Sequence, residues 1–247
     1  MGQEVKEDRL LGGRVRVLQP TRGYRAGMDA ALLAAACPVR PGQRLIEAGC
    51  GPGAALLQIA ERRPGSALVG VERDPEAAAL ARTNAEVNIL TDRVTVLEGD
   101  VGQGFRSLNL EPFDWAISNP PFFDDESALR SPAPERRGAW IADDGLSAWT
   151  HFLIKATREG GSIVMIHRGD RLADLLELLR PKAGSIQIRP IAPHADQPAK
   201  RVLVRAIKTG KAPLQLLPPL VLHDRSGAKH TVEAEAILRG EATLDWA

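Results

Sequence analysis

Cysteine is scarce: Cys37 and Cys50 are the only two in 247 residues. Two thiols exclude a disulfide framework and a four-thiolate metal site, and no histidine stands at zinc-ligand spacing from either, so no metal is expected. A surplus of charge is lacking too. The 32 basic and 31 acidic side chains leave a net +1, so the overall basic excess of many nucleic-acid binders is missing and any polyanion site must come from local clustering. No apolar run approaches the roughly 20 residues a membrane helix needs. The charged stretch Met1–Arg9 is not followed by the apolar segment of an export signal. The expectation is an unexported, cytoplasmic chain without membrane attachment. Internal repeats and low-complexity tracts are absent as well. The hydrophobic fraction of 44% and the charged fraction of 26% rule out disorder for the bulk of the chain.

Strand and helix patterns alternate. Arg44 to Glu47 reads as a buried strand, Gly49 to Gly53 as a turn, and Ala54 to Arg62 as a helix. Leu68 to Val71 is a second strand, followed by Asp74-Pro75, where Asp caps and Pro opens a helix running to about Val87. Val94 to Leu97, Trp115 to Ser118 and Ser162 to His167 continue the series. A crossover helix, Leu146 to Arg158, is expected to stop at Gly160-Gly161. Ile186 to Ile191 and Arg201 to Ile207 are joined by a loop too short for a helical crossover, so they close the sheet as an edge pair. The predicted fold is doubly wound α/β: a seven-stranded, mostly parallel sheet with an antiparallel edge strand. Met28 to Ala36 reads as a helix, and residues 211–247 form a proline-interrupted extension of unassigned form, with Leu216 to Leu222 apolar enough to pack on the core or on another subunit; a homodimer stays open.

Ligands of open parallel sheets bind at the carboxyl ends of the strands, and four such places carry candidates. Glu47-Ala48-Gly49-Cys50-Gly51-Pro52-Gly53-Ala54 follows the first strand, its glycines suited to a tight turn and close approach of a ligand to backbone amides. By spacing it also satisfies the dinucleotide pattern, with Glu72 at the right distance to bind a ribose diol. Asp100 follows the third strand and can accept from an adenine amino group or cap a helix. Ser118-Asn119-Pro120-Pro121-Phe122 follows the fourth. Two prolines fix a rigid turn that aims the Asn119 amide and the Pro120 carbonyl outward as two acceptors, matched to the two hydrogens of an NH2 group, while Phe122 offers a face for a planar group. A dinucleotide-dependent oxidoreductase shares the glycine loop and Glu72 but leaves Asn119 to Phe122 unexplained.

Together these motifs resemble the class I S-adenosylmethionine-dependent methyltransferases, and Asn119-Pro120-Pro121-Phe122 resembles the signature of their amino-methylating branch, which acts on adenine amino groups in nucleic acids, exocyclic guanine amines, or glutamine amides in release factors. The stretch Leu11-Gly12-Gly13-Arg14-Val15, then Gln19-Pro20 and Gly23-Tyr24-Arg25 to Asp29, is similar to the bacterial tRNA (adenine-N6)-methyltransferase family. The resemblance implies that Glu47, Gly49 and Gly51 line the methionine and ribose part of the cofactor, Glu72 its ribose hydroxyls and Asp100 its adenine, with Asn119 beside the reacting group. It implies that Tyr24, Arg25 and Asp29 cover the cofactor from an N-terminal cap segment, residues 1–40, ahead of a catalytic domain at 41–210. Asn119, Pro120, Pro121 and Phe122 would be catalytic. tRNA is favoured over rRNA; rRNA adenine or guanine and a protein glutamine are the alternatives, and a non-catalytic RNA-binding module is a further class.

An RNA substrate calls for a phosphate-binding surface. Between Lys182 and Lys211 seven basic residues (Lys182, Arg189, Lys200, Arg201, Arg205, Lys208, Lys211) face a single acid, Asp196, a net +6 on one stretch. Lys200, Arg201 and Arg205 are taken from it as RNA-binding candidates, along with Arg130, Arg136 and Arg137 in the polar loop after Phe122. Trp140 and Trp149 read as packing residues of the crossover helix, and His151 and His194 have no metal-like partners.

Overall fold

The computed structural model describes residues 4–21, 27–121, 145–225 and 228–246. It opens with an antiparallel hairpin, β1 (Val5–Leu10) and β2 (Val15–Pro20). Helix α1 (Met28–Ala35) leads to β3 (Arg44–Ala48), α2 (Ala54–Arg62), β4 (Ala67–Glu72), α3 (Pro75–Val87), β5 (Val94–Glu98) and β6 (Phe113–Ser118). Then come α4 (Leu146–Ala156), β7 (Thr157–Arg168), α5 (Leu172–Leu179), β8 (Ala183–Ala192), β9 (Arg201–Lys208), β10 (Gln215–Leu216), β11 (Leu220–Val221) and α6 (Val232–Arg239). The described strands beyond the hairpin form a nine-stranded sheet of order β10-β8-β9-β7-β6-β3-β4-β5, with β11 also paired to β8. Neighbours are parallel except at β9, which runs antiparallel to both β7 and β8.

The doubly wound architecture is the expected one, and local chemistry sets its boundaries. The Asp74 Oδ1 accepts the Glu76 amide at 2.9 Å and Pro75 takes the first helical position, so α3 begins where the sequence places it. Burial on both faces explains the near-continuous apolar strands. One apolar cluster gathers α1, α2 and α3 with the N-terminal hairpin; the other gathers α4 and α5 on the opposite face.

Three details differ from the sequence reading. The seven expected strands are joined by β10 and β11, two-residue strands that add to β8 from the C-terminal extension. The antiparallel strand therefore lies inside the sheet rather than at its edge, because β9 inserts between β7 and β8. Gly160-Gly161 does not stop the crossover helix: α4 ends at Ala156, and the glycines lie within β7, whose register on β6 jumps between Phe113↔Thr157 and Trp115↔Ser162. Gly160 sits at φ +72°, and a Cβ on Gly161 would come within 2.9 Å of the Asp114 carbonyl oxygen, so a bulge with close strand approach demands both glycines.

The described residues of the C-terminal extension wrap back to α1. The last carbonyls of a helix lack intrahelical partners; here Ala35 accepts the Leu244 amide at 3.1 Å and Ala36 the Trp246 indole N–H at 2.8 Å. Arg62 at the end of α2 donates to the Ala242 carbonyl at 2.9 Å. Leu220, Ile237, Leu244 and Trp246 join the same apolar cluster as the hairpin residues Val15 and Val17. No described helix is long and apolar enough to cross a membrane.

Trp246 is 6% exposed. Its replacement by alanine removes a buried ring and leaves a cavity, so Trp246→Ala is expected to lower unfolding free energy by about 3 kcal/mol in urea titrations with unchanged m. Trp246→Phe, which keeps an aromatic ring but loses the indole donor and part of the buried volume, is expected to cost about 1–2 kcal/mol. An alanine variant within about 0.5 kcal/mol of the parent would show that the extension does not hold α1.

Candidate functional site

Strand order reverses at β3, which pairs with β4 on one side and β6 on the other. A crevice opens at the carboxyl ends of strands at such a switch point. The Ser118 Oγ donates to the Ala48 carbonyl at 3.0 Å and fixes the ends of β6 and β3 side by side. Asn119, half-buried, and Pro120, buried, follow directly, so the Asn-Pro turn sits across from the glycine loop.

In that loop Gly49, Gly51 and Gly53 all have left-handed backbone, at φ +66°, +52° and +84°. The amides of Gly49 and Cys50 both donate to the Val71 carbonyl, at 2.8 and 3.1 Å. The tightest requirement is at Gly49, where a Cβ would overlap Cη2 of the Trp149 ring. Trp149 reaches the loop from α4, a hundred residues later, so it is the wall behind the cofactor-type loop and not only a packing residue of its helix. Sequence reading carried no signal for this, because a tryptophan on an amphipathic helix looks the same whichever surface it covers.

Glu72 ends β4. Its Oε2 accepts the Gly51 amide and its Oε1 the Asp74 amide, each at 2.9 Å. A carboxylate has about four lone-pair sites, so both oxygens keep capacity for a diol. Glu47, on β3, is buried, near the Leu56 amide at the start of α2. Its Oε2 has no hydrogen-bond partner among the described residues. Burial pushes the Glu47 pKa up to about 8; the Leu56 amide opposes this and the negative charge of Glu72 adds to it. The Asp100 Oδ1 accepts the Gly102 amide at 2.8 Å, so this residue caps a 3-10 turn beyond β5.

Asp29, on α1, pairs with Arg201 at 3.1 Å. Arg201 opens β9 opposite Arg168, the last residue of β7, and so stands at the same rim as Asn119. Tyr24, Arg25, Phe122, Arg130, Arg136, Arg137 and Trp140 lie outside the described residues.

The basic stretch does not form one footprint. Lys200 is exposed near the rim, but Arg205 is half-buried over the Trp115 ring, 5.4 Å from its centroid, with Nη2 on the Ser162 Oγ at 3.3 Å. Burial lowers its pKa, and it faces the sheet rather than solvent. Arg189 donates to the Pro218 and Asp245 carbonyls. Lys208 bonds the Thr157 carbonyl at 2.8 Å at the far end of β9. Strand rise of about 3.3 Å per residue puts the two ends of β9 more than about 20 Å apart, so residues summed along the sequence are dispersed in space. Among the described residues no group of three or more His, Cys, Asp or Glu side chains is arranged to hold a metal.

A switch-point crevice with carboxyl groups on the ends of three adjacent strands and a partnerless buried carboxyl oxygen suits a ligand that brings hydrogen-bond donors and positive charge. S-adenosylmethionine, with an ammonium, a sulfonium and a ribose diol, is a ligand of that kind, whereas the pyrophosphate of a dinucleotide is not. Residues 25–132 match the family described as Methyltransferase small domain. A tRNA1(Val) (adenine(37)-N6)-methyltransferase of Yersinia enterocolitica is 33% identical over 140 residues, covering 54% of this chain and 55% of the relative. One of the same name from Porphyromonas gingivalis is 32% identical over 160 residues, 61% of either chain. The chain thus spans a little over half the length of these curated relatives. A solved structure from Agrobacterium tumefaciens, described as a predicted O-methyltransferase, is 26% identical with a TM-score of 0.74, covering 87% of this chain and 98% of that one.

A cationic ligand lowers the pKa of a nearby carboxyl, so a cation seated beside Glu47 would release its proton. Between pH 6 and 8 the affinity of the parent protein for S-adenosylmethionine is therefore expected to rise relative to that of Glu47→Gln, which has no proton to lose and corrects for titration of the ligand itself. Titration calorimetry in buffers of different ionisation heat reads the released proton directly, and parallel profiles for the two proteins would refute the assignment.

Proposed function

We propose that this chain transfers a methyl group from S-adenosylmethionine to an exocyclic amino group, adenine N6 in tRNA being the best-supported acceptor, with residues 41–210 carrying the catalysis. The observation that carries this reading is Asn119-Pro120 at the end of β6, beside the glycine loop at the switch point. When bound, the cofactor supplies a methyl group activated by its sulfonium. Asn119 and the Pro120 carbonyl accept the two amino hydrogens, which holds the nitrogen in line and turns its lone pair out of conjugation. Phe122 stacks the base. Glu47 holds the cofactor's cationic end, Glu72 its diol and Asp100 its adenine. No covalent intermediate on the protein is needed, and alignment supplies most of the acceleration.

The names of the Yersinia and Porphyromonas relatives support adenine in tRNA. The Agrobacterium protein, as a predicted O-methyltransferase, would have oxygen as its acceptor. A hydroxyl brings one hydrogen and needs one acceptor, whereas Asn119 and Pro120 offer two, which favours nitrogen. A glutamine amide brings the same two hydrogens, so a protein acceptor is the second reading.

Radiolabel transfer from S-adenosylmethionine to tRNA, rRNA and protein from cells lacking the gene, followed by nucleoside mass spectrometry, tests the proposal. N6-methyladenosine in tRNA is the expected product; label confined to protein would move the acceptor to a glutamine amide. In the same assay Asn119→Ala is expected to lose about 100-fold or more in turnover while its cofactor affinity stays within threefold. A variant with near-normal turnover would remove Asn119 from the catalytic role.

A further inference from the structure

Asn84 lies in the last turn of α3 and is wholly buried. Its Oδ1 accepts the Leu18 amide at 2.8 Å, and its Nδ2 gives one hydrogen to the Leu18 carbonyl and the other to the Pro52 carbonyl, both at 2.9 Å. Asn88, one turn on, repeats half of this pattern: its Oδ1 accepts the Arg16 amide at 2.9 Å and its Nδ2 donates to the Arg16 carbonyl at 2.7 Å. Four helical residues advance about 6 Å and two strand residues about 6.6 Å, so the two amides meet alternate residues of β2 as a neighbouring strand would.

The bond to Pro52 sets Asn84 apart. Pro52 belongs to the glycine loop between Gly51 and Gly53, and having no N–H it offers the carbonyl as its one backbone hydrogen-bonding group. One side-chain amide thus holds the N-terminal hairpin and the cofactor loop at fixed separation, with both its hydrogens committed. Residues 15–20 are remote from the loop in sequence, and Asn84 bridges the two from a third element.

We infer that Asn84 is a positioning residue that couples the N-terminal hairpin to the cofactor loop, so that binding at the loop tightens the hairpin and loss of the tie weakens binding. This rests on the cofactor assignment above. It gives α3 a second task beside covering the sheet: the loop's conformation is set from the hairpin side by Asn84 and from the β4 side by Glu72.

The test compares Asn84→Ala with Asn88→Ala, which loses two hairpin bonds but leaves Pro52 untouched. Asn84→Ala is expected to raise the dissociation constant for S-adenosylmethionine at least tenfold, with turnover at saturating cofactor within threefold; Asn88→Ala is expected to stay within twofold. In the free proteins, hydrogen exchange of the Gly53 amide is expected to quicken in Asn84→Ala and not in Asn88→Ala. In the parent, cofactor is expected to slow exchange of the Leu18 amide about tenfold, a readout that needs no variant to fold. Equal weakening by both substitutions, or a Leu18 amide indifferent to cofactor, would overturn the coupling. A parent protein that binds no S-adenosylmethionine would instead overturn the proposed function, and the Gly53 exchange would still decide whether the tie holds the loop.

Discussion

The Glu72 carboxylate accepts the Gly51 amide through one oxygen and the Asp74 amide through the other. Through the first bond it fixes a loop whose three glycines have left-handed backbone and could otherwise take many shapes. Through the second it fixes the entry to α3, where Asp74 then turns its own side chain to the helix N-terminus. A single charged group at a strand end therefore sets both βα turns at the centre of the sheet. The position of Glu72 follows from parallel pairing: β3 and β4 run in register, Glu47 opposite Gly70 and Ala48 opposite Val71, which carries Glu72 past the end of β3 and over the loop.

The central βαβ units were legible because their signals are local. A buried apolar strand, a glycine turn and an Asp-Pro cap each act within a few residues, and the bounds of α2 and α3 follow directly. What escaped was non-local. The glycines at 160–161 look like a helix stop in isolation; only the register of β7 on β6 shows that they make room for the Asp114 carbonyl. The C-terminal extension reads as broken by proline, yet it is held by carbonyls at the end of α1 and by the Arg62 side chain of α2, which the sequence does not announce. Nor does the hairpin β1–β2 declare itself. Its support is a pair of asparagines seventy residues away, in a helix where they look like weak helix formers.

The site divides in the same way. Residues chosen because they directly follow strands, Glu72, Asp100 and Asn119, stand at one rim, since parallel strands deliver their ends together. Residues chosen by summing charge along the chain do not, since an extended strand spreads successive side chains over its length and alternates them between faces. Arg201 reaches the rim and Arg205, four residues on, is committed to Trp115 and Ser162. Trp149 shows the converse: chemistry can be shaped by a residue whose type and local pattern are those of an ordinary core position.

Glu47 links these features to function. A buried carboxyl with one oxygen unmatched costs on the order of 1–3 kcal/mol, and ordinary cores avoid it. A purely structural role would be better filled by an apolar residue, because Glu47 sits among Leu45, Ile46 and Ala48 with neighbouring strands on both sides. The unmatched oxygen is intelligible as half of an interaction completed by a ligand that brings a hydrogen-bond donor and positive charge. Burial keeps the group protonated near neutrality, so the free protein carries little of the charge penalty. In the proposed reading, a cation that completes the pair would draw the proton off, turning a neutral carboxyl into a carboxylate where its charge is matched. On that same reading, the cost of the unmatched oxygen is returned as selectivity for a positively charged ligand, at the end of the central strand where the fold places its crevice.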